Sequence, residues 1–112
     1  MKLVALVALS AALLVPSALA ATPLVGTVGP GFTITLTQGG KKVTKLKAGT
    51  YTIKVADKSN LHNFRLKGPG VNKFTSVAAK GSFTWKVTLK KGTYTVVCDP
   101  HAAFMKQSFK VS

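Results

Sequence analysis

This chain of 112 residues carries 16 lysine and arginine side chains against 2 aspartates and no glutamate, which gives a formal net charge of +14. Such a charge attracts anionic partners, but the lysines are spread singly along most of the chain, which argues against a nucleic-acid-binding motif. With one cysteine, the composition excludes an intramolecular disulfide. Asp57 and Asp99 are the only carboxylate side chains that a hydrolytic Ser/His/Asp set could use, which argues against such a set.

The N-terminal residues are typical of a secretory signal peptide. Lys2 provides a positive start, residues 3–15 are almost entirely apolar, and Ala18-Leu19-Ala20 matches a cleavage pattern of small residues. The apolar run is shorter than the roughly 20 residues that a bilayer-spanning helix needs, so an uncleaved membrane anchor is the less favoured alternative. We therefore predict a signal peptide over residues 1–20, a single domain over residues 21–112, and export to the periplasm or the extracellular space.

From Phe32 onward, apolar and polar side chains alternate with a period of two. Phe32, Ile34 and Leu36 are separated by threonines, which is typical of a half-buried antiparallel strand. Turn signals rich in glycine separate such runs at intervals of about 8–12 residues. The sequence therefore predicts an all-β fold, a Greek-key β-sandwich or barrel of about seven to eight strands. The other alternating runs are residues 50–55, 83–89, 94–98 and 109–111.

Two short segments repeat the same pattern. Leu46–Thr52 reads Leu-Lys-Ala-Gly-Thr-Tyr-Thr, and Leu89–Thr95 reads Leu-Lys-Lys-Gly-Thr-Tyr-Thr. Each copy leads into an alternating run, and two copies are too few for a solenoid. We interpret the repeat as the same hairpin chemistry used twice within one sandwich.

The segment that begins at the end of run 94–98 concentrates side chains that bind soft metals. Cys98, His101 and Met105 fall within eight residues and include the only cysteine and one of the two histidines. The other histidine, His62, lies far upstream. A thiolate, two imidazoles and a thioether are the ligand set of a blue-copper electron-transfer site. These four residues are therefore the candidate metal ligands.

Their positions in the predicted strands allow the four side chains to meet. Cys98 ends a strand on its inward phase, and Pro100 interrupts the strand because it has no N–H to donate. A tight loop can then return His101 and Met105 towards Cys98, while the alternation that follows His62 directs its ring inward. We predict that one copper ion binds here. Zinc is an alternative for cysteine and histidine ligands, but a thioether favours copper.

These motifs resemble the cupredoxin family of small blue-copper proteins. The resemblance rests on His62-Asn63, Gly92-Thr93-Tyr94 and the group of Cys98, His101 and Met105. It implies that Cys98, His62 and His101 are the strong equatorial ligands of a type 1 copper ion. Met105 would be the weak axial ligand, and Asn63 would join the two ligand loops by hydrogen bonds. Three residues separate His101 from Met105, whereas family members have two or four residues between the corresponding histidine and methionine. This difference would affect the length of the axial bond and therefore the reduction potential.

Both histidines are used at one predicted site, which limits the function. A second copper centre, as in multicopper oxidases or copper nitrite reductases, would need several more histidines than the 2 present. We therefore predict a monomeric carrier of single electrons that cycles between Cu(I) and Cu(II) and is not an enzyme. The edge of His101, framed by Pro100 and residues 102–104, would be the electron port.

The positive charge predicts the kind of partner. Lysines around the port would steer acidic redox proteins towards it. An anionic membrane or envelope surface is the second class of partner, and export makes nucleic acid an unfavourable one.

Two other functions are compatible with the same residues. A copper-delivery protein would use the same ligands without electron transfer and would exchange its metal readily. A metal-free cell-surface sandwich would treat the cysteine as a small buried hydrophobe and the histidines as structural residues, and it would remain colourless with copper(II).

Overall fold

The computed structural model describes residues 22–112, so the predicted signal peptide over residues 1–20 lies outside the described part of the chain. Within residues 22–112 there are ten strands and one 3-10 turn at Asp99–His101. In this range no helix is long and apolar enough to cross a membrane. The strands are β1 (Leu24–Val28), β2 (Ile34–Gln38), β3 (Lys41–Lys42), β4 (Lys45–Leu46), β5 (Gly49–Asp57), β6 (Arg65–Gly68), β7 (Val71–Phe74), β8 (Gly81–Leu89), β9 (Gly92–Val97) and β10 (Lys106–Val111).

The strands form two five-stranded sheets with the apolar core between them. The first sheet has the order β3-β2-β1-β5-β8 and the second the order β4-β10-β9-β6-β7. β1 runs parallel to β5 and β4 runs parallel to β10, while the other paired strands are antiparallel. The predicted all-β sandwich is confirmed. β3 and β4 have only two residues each, too few to produce an alternating pattern in the sequence.

β1 is a strand that the alternation did not predict. Its inward positions are Leu24, Gly26 and Val28, so a glycine stands where the middle apolar side chain would be. A Cβ on Gly26 would overlap with the buried Phe64 ring. The Phe64 ring therefore fills the space that the glycine leaves. The apolar–polar alternation of the strand is broken at Gly26, so the sequence of β1 alone does not reveal the strand.

The buried Gln107 joins the two sheets. Its Nε2 donates to the backbone oxygens of Leu36 and Val43, both at 3.1 Å, and its Oε1 accepts the Leu36 N–H at 3.1 Å. Each polar group of the amide thus has a partner, as a buried polar side chain requires. Through these bonds β10 of the second sheet is tied to β2 of the first.

The repeated segments build the same local structure. The Tyr51 hydroxyl donates to the Lys47 carbonyl at 2.6 Å, and the Tyr94 hydroxyl lies 2.9 Å from the Lys90 carbonyl oxygen. Both contacts join a tyrosine to the residue four positions earlier, as in the tyrosine corners of other β-sandwiches. They hold the starts of β5 and β9 at one end of the sandwich.

Three loops meet at the other end, which we call the loop end. They are residues 29–33 after β1, residues 58–64 after β5 and residues 98–105 after β9. The Lys58 N–H donates to the Val28 carbonyl at 2.9 Å, which joins the first two loops at their bases. The predicted ligands lie in the second and third loops.

Candidate metal centre

Three of the four predicted ligands converge at the loop end. His62 Nδ1 lies 3.1 Å from His101 Nδ1, and Cys98 Sγ lies 3.7 Å from His62 Nδ1 and 3.6 Å from His101 Nδ1. Cys98 and His62 are buried, while His101 is half-buried. Among residues 22–112 this is the one group of histidine, cysteine and acidic side chains close enough to hold a metal.

The three donor atoms are spaced as they would be if all three bound the same metal ion. Nitrogen and sulfur ligands lie about 2.0–2.3 Å from a bound metal of this class, so two ligands on one ion are about 3–4 Å apart. All three observed separations fall in that range, and both imidazoles present the same ring nitrogen to the centre. A donor set of one thiolate and two imidazoles with a nearby thioether suits a single type 1 copper ion.

The loop after β9 folds as its sequence predicts. Pro100 lies in the 3-10 turn, where the His101 N–H donates to the Cys98 carbonyl at 3.1 Å. The Met105 N–H then donates to the His101 carbonyl at 2.9 Å, and the Cys98 N–H donates to the Met105 carbonyl at 3.1 Å. These bonds hold His101 beside Cys98 and bury Met105 in the adjoining core, where it is 1% exposed. The axial role of Met105 stays a prediction.

A buried carboxylate that the sequence did not single out holds the His62 loop. Asp57 accepts the Ser59 N–H at 3.1 Å and the Thr75 hydroxyl at 3.0 Å. The Thr75 hydroxyl oxygen in turn accepts the Phe64 N–H at 2.9 Å. Asp57 therefore fixes both ends of the loop that carries His62. Its partner Thr75 lies 18 positions further along the chain, too far for a local pattern to reveal.

The prediction that Phe32 shares an alternating strand with Ile34 and Leu36 is wrong. β2 begins at Ile34, and Phe32 lies in the loop before it with 63% of its surface exposed. Its ring centroid is 5.2 Å from that of His62 and 5.1 Å from that of His101, with edge-on geometry. The apolar–polar alternation therefore extends two residues beyond the strand itself. Phe32 belongs to the surroundings of the metal centre.

Gly29 allows that loop to approach the ligand. Its φ is +73°, which favours glycine, and a Cβ there would lie 2.9 Å from Ser59 Cβ and 3.4 Å from His62 Cδ2. The loop of residues 29–33 is thus packed against the His62 loop, with Phe32 over both imidazoles.

Asn63 joins the two ligand loops, as the family resemblance implied. Its Nδ2 donates to Asp99 Oδ2 at 2.9 Å and to the Thr75 carbonyl at 3.1 Å. Its Oδ1 accepts the Asp99 N–H at 2.7 Å. Because Asn63 follows His62 and Asp99 follows Cys98, the amide holds the two ligands at a constant separation.

Arg65 completes this connection with an ion pair that the sequence did not indicate. Its Nη2 lies 2.8 Å from Asp99 Oδ2, and its Nε lies 2.8 Å from Asp99 Oδ1. It also donates to Asn72 Oδ1 at 2.7 Å and stacks 4.1 Å above the Phe74 ring centroid. Hydrogen bonding from Arg65 lowers the pKa of the Asp99 carboxyl, with a further lowering from Asn63. The carboxylate beside Cys98 is thereby kept ionised and paired.

We expect Asn63→Ala to lower the free energy of unfolding of the metal-free protein by roughly 2–4 kcal/mol. Three hydrogen bonds of a buried amide are lost, at about 1 kcal/mol each. Thermal unfolding by circular dichroism measures the change. Asn72→Ala is the control: Asn72 is exposed and accepts one bond from Arg65, so we expect a change within about 0.5 kcal/mol. Equal melting temperatures for the two variants would contradict the role of Asn63.

We expect Met105→Gln to retain copper but to lower the reduction potential. An axial thioether is a weak and long ligand, so its loss leaves the three strong donors in place, and the harder amide oxygen favours Cu(II). Redox titration followed in the visible range measures the potential, and metal analysis measures the copper content. Loss of copper from the variant would mean that Met105 is a main ligand or an essential core residue.

Comparisons with known proteins agree with this site. The family model for copper-binding proteins of the plastocyanin/azurin family matches residues 32–112. The structure of reduced rusticyanin is similar, with 25% sequence identity, a TM-score of 0.57, and coverage of 80% of this chain and 77% of that chain. A second rusticyanin structure has 20% identity, a TM-score of 0.59, and coverage of 80% and 76%.

A variant of amicyanin in its Cu(I) state has 17% identity, a TM-score of 0.51, and coverage of 81% of this chain and 83% of that chain. A search among curated proteins finds no match. The more distant structural likenesses show the fold, and the family model, which covers most of the chain, shows the relationship. The resemblance predicted from His62, Cys98, His101 and Met105 is confirmed: the chain belongs to the plastocyanin/azurin family of copper-binding proteins.

Proposed function

We propose that this blue copper protein is a carrier of single electrons. The observation that carries the proposal is the triangle of His62, Cys98 and His101, whose donor atoms lie 3.1–3.7 Å apart and which is buried except for the edge of His101. Copper bound at such a site supplies a one-electron Cu(I)/Cu(II) couple. Both histidines of the chain are used in the triangle, which supports a carrier instead of an enzyme with a second metal centre.

The chain's own contribution is a preorganised ligand set. Asn63 and Asp99 join the two ligand loops, and Asp57 holds the His62 loop to the sheet. The fold holds the three donor atoms at separations that suit ligands of one ion. A site that moves little between the two oxidation states favours rapid electron transfer.

Exposed apolar side chains lie beside the two histidine ligands: Phe32 contacts both imidazoles, Phe104 contacts His101, and Leu61 precedes His62 in the chain. Phe32, Leu61 and Phe104 are 63%, 68% and 61% exposed, and the Phe104 ring centroid lies 5.7 Å from that of His101. We define these three side chains as the apolar rim. Exposed large apolar side chains close together indicate a surface that meets a partner. The rim would permit close and brief docking with electrons passing through His101.

We further propose that the protein is exported. Residues 1–20 have the pattern of a cleavable signal peptide, which would leave residues 21–112 as the working domain in the periplasm or outside the cell. The high positive charge would then act on acidic redox proteins of that compartment.

Electron transfer and copper delivery can be separated by one experiment. The copper(II) protein is mixed with a reduced acidic redox protein, and separately with a copper chelator. A carrier loses its visible colour rapidly with the redox protein while its copper content stays constant, and it loses copper only slowly to the chelator. Rapid transfer of copper to the chelator with no electron exchange would contradict the proposal and identify a delivery protein.

We expect the rate of electron exchange with an acidic partner to fall as salt rises. The screening length is about 10 Å at 0.1 M salt and about 3 Å at 1 M, so charge attraction across an encounter complex is lost over that range. Lys106→Glu changes the residue next to Met105 and should slow the reaction more than Lys41→Glu, which changes the first residue of β3. Stopped-flow rates at several salt concentrations measure both effects, and a rate that does not change with salt would contradict steering by charge.

A further inference from the structure

The charges of the protein are divided unequally between its two ends. The two carboxylate side chains, Asp57 and Asp99, both lie at the loop end, where Asp57 closes β5 and Asp99 follows Cys98. Five lysines gather at the opposite end, at the starts of β5 and β9 and along the paired strands β4 and β10. We call this surface the lysine end; its members are Lys45, Lys47, Lys90, Lys91 and Lys110.

Strand pairing brings these lysines together although they are far apart in the sequence. Lys45 pairs with Lys110 in the parallel β4–β10 register. Lys45, Lys91 and Lys110 also line one open groove of about 400 Å³. Lys47 and Lys90 lie at the same end of the sandwich, where each provides the carbonyl oxygen that accepts from the tyrosine at a strand start.

The lysine end lacks compensating side chains. All five lysines are exposed, and the ion pair between Arg65 and Asp99 is the one salt bridge found among residues 22–112. Like charges held together repel each other and oppose the compact state. An anionic surface that approaches this end relieves the repulsion and gains attraction from all five ammonium groups.

The predicted signal peptide favours a membrane as the anionic surface. β1 runs parallel to β5, so the chain enters β1 from the side of the lysine end. Residues 1–20, with their apolar run, precede this point in the sequence. In an exported chain, as proposed above, the domain is released beside a bilayer, and its first strand begins on the side of the lysine end.

We propose that the lysine end binds the surface of an anionic lipid membrane. β5 has nine residues, which at about 3.3 Å per residue separates the two ends of the sandwich by about 30 Å. A protein bound in this way presents the apolar rim and His101 away from the membrane, where a soluble redox protein can reach them. The binding itself needs neither copper nor a redox partner.

The test measures binding of the copper-loaded protein without residues 1–20, the form that the proposed export would leave, to vesicles of phosphatidylcholine with and without phosphatidylglycerol. The anionic vesicles should bind the protein more tightly than the neutral ones. The triple variant Lys45→Gln, Lys91→Gln, Lys110→Gln should lose roughly 100-fold in that affinity, at about fivefold per lysine. The control triple variant Lys54→Gln, Lys80→Gln, Lys106→Gln removes the same charge from other surfaces and should retain most of it.

Acetylation of lysines, read by mass spectrometry, tests the orientation. Anionic vesicles should protect the five lysines of the lysine end and leave Lys58 and Lys80 at the loop end reactive. Equal losses in the two triple variants, or uniform protection, would overturn the proposal, because net charge alone would then explain the binding. Equal binding to neutral vesicles would overturn it as well. So would soluble polyphosphate that protects the same lysines more strongly than vesicles do, since the partner would then be a polymer. None of these outcomes bears on the electron-transfer experiment.

Discussion

Replacing Cys98 with serine is expected to abolish the intense visible absorption of the copper(II) protein. That absorption arises from charge transfer between the Cys98 thiolate and the metal, and Cys98 Sγ lies within 3.7 Å of both imidazole donors. Serine has nearly the same size and offers no thiolate, so the sandwich should remain folded. Titration with copper(II) followed in the visible range measures the colour, and far-ultraviolet circular dichroism measures the fold.

The neighbouring Val97→Thr is a matched control for this experiment. Val97 is the buried last residue of β9, directly before Cys98. Threonine is close to valine in shape but introduces a hydroxyl, as serine does at Cys98. The control should lose some stability and keep the absorption. If the unmodified protein shows no thiolate-to-copper absorption, the blue-copper assignment of this site is wrong.

Much of the site could be predicted because it is local in the sequence. Cys98, Pro100, His101 and Met105 lie in one loop, and the backbone bonds that shape this loop join residues within eight positions of each other. The inward phase of Cys98 follows from the alternation of its own strand. His62 needed only one further inference, because the chain offers 2 histidines in all.

The rest of the site depends on contacts between distant segments. Gly26 belongs to β1 because the Phe64 ring fills the space above it. Arg65 and Asp99 are 34 positions apart, and nothing in the sequence near either residue indicates that they form an ion pair. Phe32 continues an alternating pattern although it lies over the two imidazoles. In each case topology, and not local pattern, decides the role of the residue.

The distribution of charge likewise could not be predicted from local sequence patterns. The lysines occur singly along most of the sequence, which predicted a generally positive exterior. Parallel pairing of β4 with β10 places Lys45 against Lys110, and the β8–β9 turn adds Lys90 and Lys91 at the same end. The asymmetry therefore arises only when the strands pair.

Bound copper is expected to raise the melting temperature by roughly 15–30 °C. The native site holds His62, Cys98 and His101 at ligand separations, whereas the unfolded chain does not, so the metal stabilises the native state preferentially. At a free metal concentration one thousand times the dissociation constant, this linkage contributes about 4 kcal/mol. A domain of this size gains about 4–8 °C for each kcal/mol. Thermal unfolding with and without copper(II) measures the shift.

His101→Gln distinguishes stabilisation by this site from general binding of copper to the chain. His101 is half-buried, so its replacement should change the metal-free melting temperature little, while the loss of one strong donor should remove most of the copper-dependent shift. An equal shift in the variant and the unmodified protein would place the stabilising metal elsewhere on the chain. The absence of any shift in the unmodified protein would mean that the native site binds copper no better than the unfolded chain does, because linkage depends on that difference alone.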